Sequence, residues 1–251
     1  MLNGYKLCLK RSRNDPRNLK VILQEHEKQI VLPCTFQLKE IDTLKILDQE
    51  QLGSCTANAI CQAIQIKTNN KLTISRLYQY FNSRLLEGTQ EEDSGSNLLE
   101  CMKALKKYNY IDEIMYPYIT DNFAKIPSAE IYIAASENPQ IKEYKSIQQD
   151  LYHIKYALSV YRQAIIFGAQ IYNTFQNLDA DYVCPTPDIN SDTLLGGHAL
   201  TIFAFYDNEQ VFGIVNSWGE KYGNHGTFKM KYEYVLNPTL CSDFWTVSLG
   251  F

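Results

Sequence analysis

The chain has 251 residues, 45% hydrophobic and 21% charged, with a net charge of -4. That length supports one large domain or two lobes with substantial cores. The balance leaves no basic footprint for nucleic acid or an anionic membrane, and no apolar run approaches the roughly 20 residues of a membrane helix.

Residues 1–47 read as an extended, irregular approach. The run Lys10-Arg11-Ser12-Arg13-Asn14-Asp15-Pro16 is charged and is broken at the proline. Val21-Ile22-Leu23 and Ile30-Val31-Leu32 are short apolar runs with the look of edge strands. From Cys55 onward Ala59, Ile60, Ala63 and Ile64 recur at helical spacing, with Ser54 as N-cap and Asn69-Asn70 as the stop. A second helix is expected from Ser75, with Leu77, Phe81 and Leu85 on one face and Gly88 ending it. The acidic loop Glu91-Glu92-Asp93-Ser94-Gly95-Ser96 leads to a third helix, from Asn97 to Tyr108, where Asn97 and Glu100 have capping-box spacing.

From Tyr116 through Pro139 the pattern reads as irregular. One more helix is marked by Ile147, Leu151, Ile154 and Leu158. Strands are then expected at 164–171, 198–206, 211–216 and 227–232, with Asp207-Asn208 turning a hairpin. Helices first and antiparallel strands later predict an α+β protein with two lobes.

Cys55 stands in the first turn of its helix. Free N–H groups and the helix dipole there stabilise a thiolate. A buried structural cysteine is the other reading of that position. A nucleophilic thiol needs a base. His26 and His153 have charged or helical surroundings, and His225 lies in a Gly-Asn-His-Gly turn. His198 follows Gly196-Gly197 and opens a strand, and the two glycines allow another backbone to approach closely. Downstream, the Asn216 amide oxygen can fix the imidazole's orientation, and Trp218 can shield that bond.

The stretches Asp48-Gln-Glu-Gln-Leu-Gly-Ser-Cys55-Thr-Ala, Gly196-Gly-His198-Ala-Leu and Asn216-Ser-Trp-Gly together resemble the papain family of cysteine peptidases. His198 lies 143 residues after Cys55, since 198 − 55 = 143, within the family's usual separation. The resemblance covers about residues 32–251. It implies Gln49 as the oxyanion-hole glutamine, with Gln51 the rival. It implies Gly95 and Ser96 in the loop lining the cleft, beside Gly197 and Trp218. Leu52 and Thr56 depart from the common pattern and point to the shorter, disulfide-free branch of bacteria, archaea and large DNA viruses.

The resemblance implies a helical left lobe, about residues 48–130. An antiparallel, β-barrel-like right lobe, about 131–251, follows, and the active-site cleft lies between them. The expected function is a thiol endopeptidase in which Cys55, His198, Asn216 and Gln49 are catalytic, acting on protein or peptide substrates without metal or cofactor. A silent binding module, or an acyltransferase using the same residues, are the alternatives. Seven irregularly spaced cysteines with no CxxC pair, and a start without a long apolar core, fit an intracellular, reducing compartment or a virus particle. Asp243 is a candidate for the floor of the main specificity pocket. Residues 1–31 would form a short extension. Two courses are open to it: along the cleft, with the basic run against Glu91-Glu92-Asp93 and Val21-Ile22-Leu23 as the apolar hold, or along the back of the β-rich lobe.

Overall fold

The computed structural model describes residues 4–250. Helix α1 (Cys55–Lys67) is its axis. Every residue from Cys55 to Ile66 is buried, so the helix is enclosed on all sides rather than along one apolar face. Some of its polar groups find partners inside the core: Asn58 donates to the Ser54 carbonyl at 3.0 Å, and Gln65 donates to Thr73 at 3.1 Å. Asn69 and Asn70 both adopt positive φ after the helix ends, which asparagine tolerates better than most residues.

Helices α2 (Arg76–Glu87) and α3 (Leu98–Tyr108) pack on α1 to build the helical part. Ser75 caps α2 by accepting from the Tyr78 N–H, and Gly88 ends it at φ 73°. Asn97 caps α3, but only half of the expected capping box forms. Glu100 turns to Lys103, and the Asn97 N–H is taken by Glu87 at 3.0 Å.

The stretch expected to be irregular holds helix α4 (Ala129–Glu137) and is followed by strand β2 (Ile141–Ser146). Helix α5 (Leu151–Ser159) begins after an Asp150 cap, so Ile147 lies ahead of it. The β-rich part pairs in the order β2, β8 (Cys241–Leu249), β3 (Ile165–Tyr172), β5 (Leu194–Tyr206), β6 (Val211–Val215), β7 (Thr227–Lys231), β4 (Val183–Cys184). β1 (Thr35–Gln37) joins the side of β5. All pairs are antiparallel except β4 with β7, and the path does not close on itself. The short α6 (Tyr232–Val235) follows β7.

The long strand β5 joins the two parts. Its Thr201 hydroxyl donates to the Ala59 carbonyl of α1 at 3.0 Å. One continuous core spans both parts. All seven cysteines are free. Among the described residues, no helix is long and apolar enough to cross a membrane.

The N-terminal segment takes both of the courses open to it. Residues 4–13 cross the cleft. Residues 14–31 then wrap the β-rich part, where the Val21 N–H donates to Ser146 and the Tyr152 hydroxyl donates to the carbonyl of Glu27. Neither apolar run is a strand. Leu23 is buried, but Ile22 and Val31 face solvent, because each run has only one side against the domain.

Candidate active site

The entry to α1 is held from several directions. The Arg76 guanidinium donates to the Asp48 carbonyl and to Asn58, pairs with Glu113, and stacks over the Tyr118 ring at 3.8 Å. Ser54 is N-cap by position only. Its hydroxyl shares a 2.6 Å hydrogen bond with Tyr118 and accepts from Asn58, so it leaves the helix's own N–H groups free. These groups fix the stretch 48–54 and aim Cys55 out of the first turn.

The Cys55 thiol is fully buried, and burial pushes its pKa up to about 12. Three backbone N–H groups work against that shift, from Ala199, Thr56 and Cys55 itself. Ala199 follows His198 on β5, so the thiol lies against the strand that carries the imidazole. His198 is also fully buried. Its Nε2 pairs with the Asn216 side-chain oxygen at 2.8 Å, and the Trp218 ring stacks on the imidazole at 4.9 Å between centroids. The imidazole Nδ1 has no hydrogen-bond partner among the described residues. Burial drives the His198 pKa down to about 4, opposed by the bond to Asn216.

Gln49 is buried, whereas its rival Gln51 faces solvent. The Gln49 amide donates to the Lys6 carbonyl at 3.2 Å and to the Leu52 carbonyl at 3.1 Å. Its oxygen accepts from the Ser217 hydroxyl at 2.8 Å. A side-chain amide held in this way presents its N–H groups to a carbonyl oxygen, which is the task of an oxyanion hole.

The remaining candidates line the course of residues 4–13. Tyr5 stacks on Trp218 at 5.1 Å. The Leu9 N–H donates to the Gly197 carbonyl at 3.0 Å, and the Lys10 N–H donates to the Ser96 carbonyl at 3.2 Å. Gly95 has φ 68°, and a β-carbon there would stand 2.0 Å from the Cys8 carbonyl oxygen, so only glycine admits the segment at that point. Cys55, His198, Asn216, Gln49, Gly95, Ser96, Gly197 and Trp218 therefore border one cleft. His26 and His225 are exposed, and His153 lies on α5 beside its Asp150 cap.

The charge pairing differs from expectation. Lys6 pairs with Asp93, and Lys10 pairs with Glu87 on α2 at 2.8 Å, while Glu91 and Glu92 stay exposed. Asp93 faces inward because it accepts from the Gly53 N–H and the Tyr80 hydroxyl. The Asp243 carboxylate accepts the Ser12 N–H at 2.9 Å and so holds the segment's backbone. Sequence reasoning gave Ser217 no role. Ser217 had a usable signal, a hydroxyl next to Asn216. Asp93 was expected against the basic run 10–13, and it meets Lys6 instead.

A thiol heading a buried helix, against the strand that carries a histidine–asparagine pair, fits a cysteine peptidase. The model of the papain family cysteine protease matches residues 32–242, and the chain belongs to that family. It is 34% identical over 254 residues to an uncharacterised peptidase C1-like protein of Acanthamoeba polyphaga mimivirus, covering 93% of this chain and 80% of that one. It is 25% identical to vignain of Phaseolus vulgaris, spanning 59% of that protein's length and 86% of its own. Among solved structures, xylellain, a cysteine protease from Xylella fastidiosa, superposes with a TM-score of 0.88 at 31% identity, covering 98% of this chain and 96% of that one.

Proposed function

We propose that this cysteine peptidase hydrolyses peptide bonds with Cys55 as nucleophile and His198 as general base and acid. Cys55 attacks the scissile carbonyl, the Gln49 amide and the Cys55 N–H hold the oxyanion, and His198 protonates the leaving amine. Water then releases the acyl group from the sulfur. Asn216 holds the imidazole in one orientation. The observation that carries this reading is the Gln49 amide donating to a peptide carbonyl, that of Lys6, at the mouth of the cleft.

On the same reading, residues 4–13 are a built-in inhibitor that lies where substrate must lie. The block is chemical as well as steric. Burial is the leading cause of both pKa shifts, and it leaves a neutral thiol beside a neutral imidazole. Uncovering the cleft hydrates both groups, so Cys55 falls, His198 rises, and the reactive thiolate–imidazolium pair becomes accessible. Leu9, packed against Gly168 and Gly197, occupies an apolar pocket and marks a preference for an aliphatic side chain in a substrate.

The test is labelling by the epoxide inhibitor E-64. A chain lacking residues 1–13 should be modified at Cys55 and should cleave a fluorogenic peptide, with both lost in Cys55→Ala. A folded, truncated chain that stays unlabelled overturns the reading.

A further inference from the structure

The segment in the cleft carries a thiol of its own. Cys8 pairs with Gly197, the residue before His198. Its β-carbon lies 3.3 Å from the point where a β-carbon on Gly53 would stand, and 2.6 Å from the same point on Gly95. The Cys8 side chain is thus set between Gly53, two residues before Cys55, and the strand at Gly197, two residues before the Ala199 N–H that meets the Cys55 thiol. Cys8 is half-buried, whereas Cys55 is fully covered. A negative charge on Cys8 also raises the Cys55 pKa, as a close neighbour's would. Of the other thiols, Cys61, Cys101, Cys184 and Cys241 are buried in the core and Cys34 is exposed on the surface.

We propose that Cys8 and Cys55 form a redox latch, a disulfide that fastens the N-terminal segment into the cleft when the protein meets a peroxide. The more accessible Cys8, as thiolate, attacks one peroxide oxygen. The O–O bond breaks, hydroxide leaves and takes up a proton, and Cys8 becomes a sulfenic acid. The covered Cys55 thiol then attacks the Cys8 sulfur as its proton passes to the leaving oxygen. The S–S bond forms, the S–O bond breaks, and the second hydroxide leaves as water. In sum, two thiols are oxidised and one peroxide is reduced to two waters. The nucleophile is spared from irreversible oxidation, and the inhibitor stays attached even if the chain is later cut beyond Cys8. A thiol reductant reverses both effects.

The proposal rests on the cleft geometry of the segment, and its readout is a mass map that needs no turnover. Its failure is therefore distinct from a failure of the peptidase reading. The full-length chain is treated with hydrogen peroxide, its remaining thiols are alkylated, and it is digested without reductant. The expected result is loss of the mass of two hydrogen atoms and a peptide pair joining Cys8 to Cys55, both reversed by dithiothreitol. In Cys8→Ser that pair is absent, and Cys55 instead gains oxygen atoms. A wild-type chain in which Cys55 gains oxygen as fast as in Cys8→Ser, or pairs with another cysteine, overturns the proposal.

Discussion

The Ser217 hydroxyl donates to the Gln49 side-chain oxygen at 2.8 Å, in full burial. With its oxygen held, the amide has only one way to face, and its N–H groups meet the Lys6 and Leu52 carbonyls. Replacing Gln49 by Ala should lower kcat of the chain lacking residues 1–13 by about 10²–10³-fold. Ser217→Ala should cost about tenfold, the value of one neutral hydrogen bond. The double variant should be no slower than Gln49→Ala alone, since Ser217 acts through Gln49. Losses that multiply instead would show that Ser217 acts separately.

Asn216 accepts from both the His198 ring and the Ser217 N–H. In the proposed mechanism the ring becomes cationic, and a hydrogen bond to a charged group contributes about 1.5–3 kcal/mol. Asn216→Ala should therefore lower kcat by about 10- to 150-fold. The alkaline limb of the kcat/KM profile should also move to lower pH, because the imidazolium loses its acceptor. An unmoved limb would separate Asn216 from the titrating ring.

The two halves of the N-terminal extension should behave differently when removed. Deleting residues 1–13 uncovers the cleft and should raise turnover of a small fluorogenic peptide with little change in thermal midpoint. Deleting residues 1–31 also strips Leu23 from the core and Glu27 from the hydroxyls of Tyr156 and Tyr161. That chain should lose stability, and Leu23→Ala alone should cost about 2–4 kcal/mol in urea unfolding. Equal rates for the full-length and 14–251 chains would show that the segment does not restrain the enzyme.

Burial sets a pH dependence on the covered molecule. His198 titrates near 6.5 when unfolded and near 4 when folded. Below pH 6.5 the unfolded chain takes up a proton that the folded chain still refuses. Stability present above pH 6.5 is therefore lost as pH falls toward 4, at up to about 1.4 kcal/mol per pH unit. Urea midpoints across that window should show a slope that His198→Gln flattens. An unchanged slope would assign the acid sensitivity to other groups.

The candidate site residues Cys55, His198 and Asn216 could be picked out in advance because each proposed role demands one residue type at a narrow spacing. The ends of α2 were legible for a similar reason. Ser75 and Gly88 do local jobs that need few partners. Helix α4 was missed because Ala135 is its only buried residue and Ile133 faces solvent, so it has no apolar stripe. Strand β8 was missed because Asp243 interrupts it at φ 59° and its burial does not alternate. The course of residues 4–13 had no pattern to read. Its backbone bonds go to Ser96 and Gly197, far along the chain, and nothing within the segment repeats.

An extended peptide turns successive N–H groups to opposite sides. Leu9 uses this to grip Gly197 on the β-rich wall, and Lys10 to grip Ser96 on the helical wall. The segment is therefore the middle rung of a ladder whose rails belong to different halves of the molecule. One chain width on each side, about 4.8 Å, gauges the opening between them. Without that rung, the walls are joined only at one end of the cleft, where Gln49 and Ser217 bond to each other, and deeper down, where Thr201 reaches the Ala59 carbonyl, among the bonds described above. The uncovered enzyme is thus the mechanically looser form, and an extended substrate of the same width tightens it again as it seats.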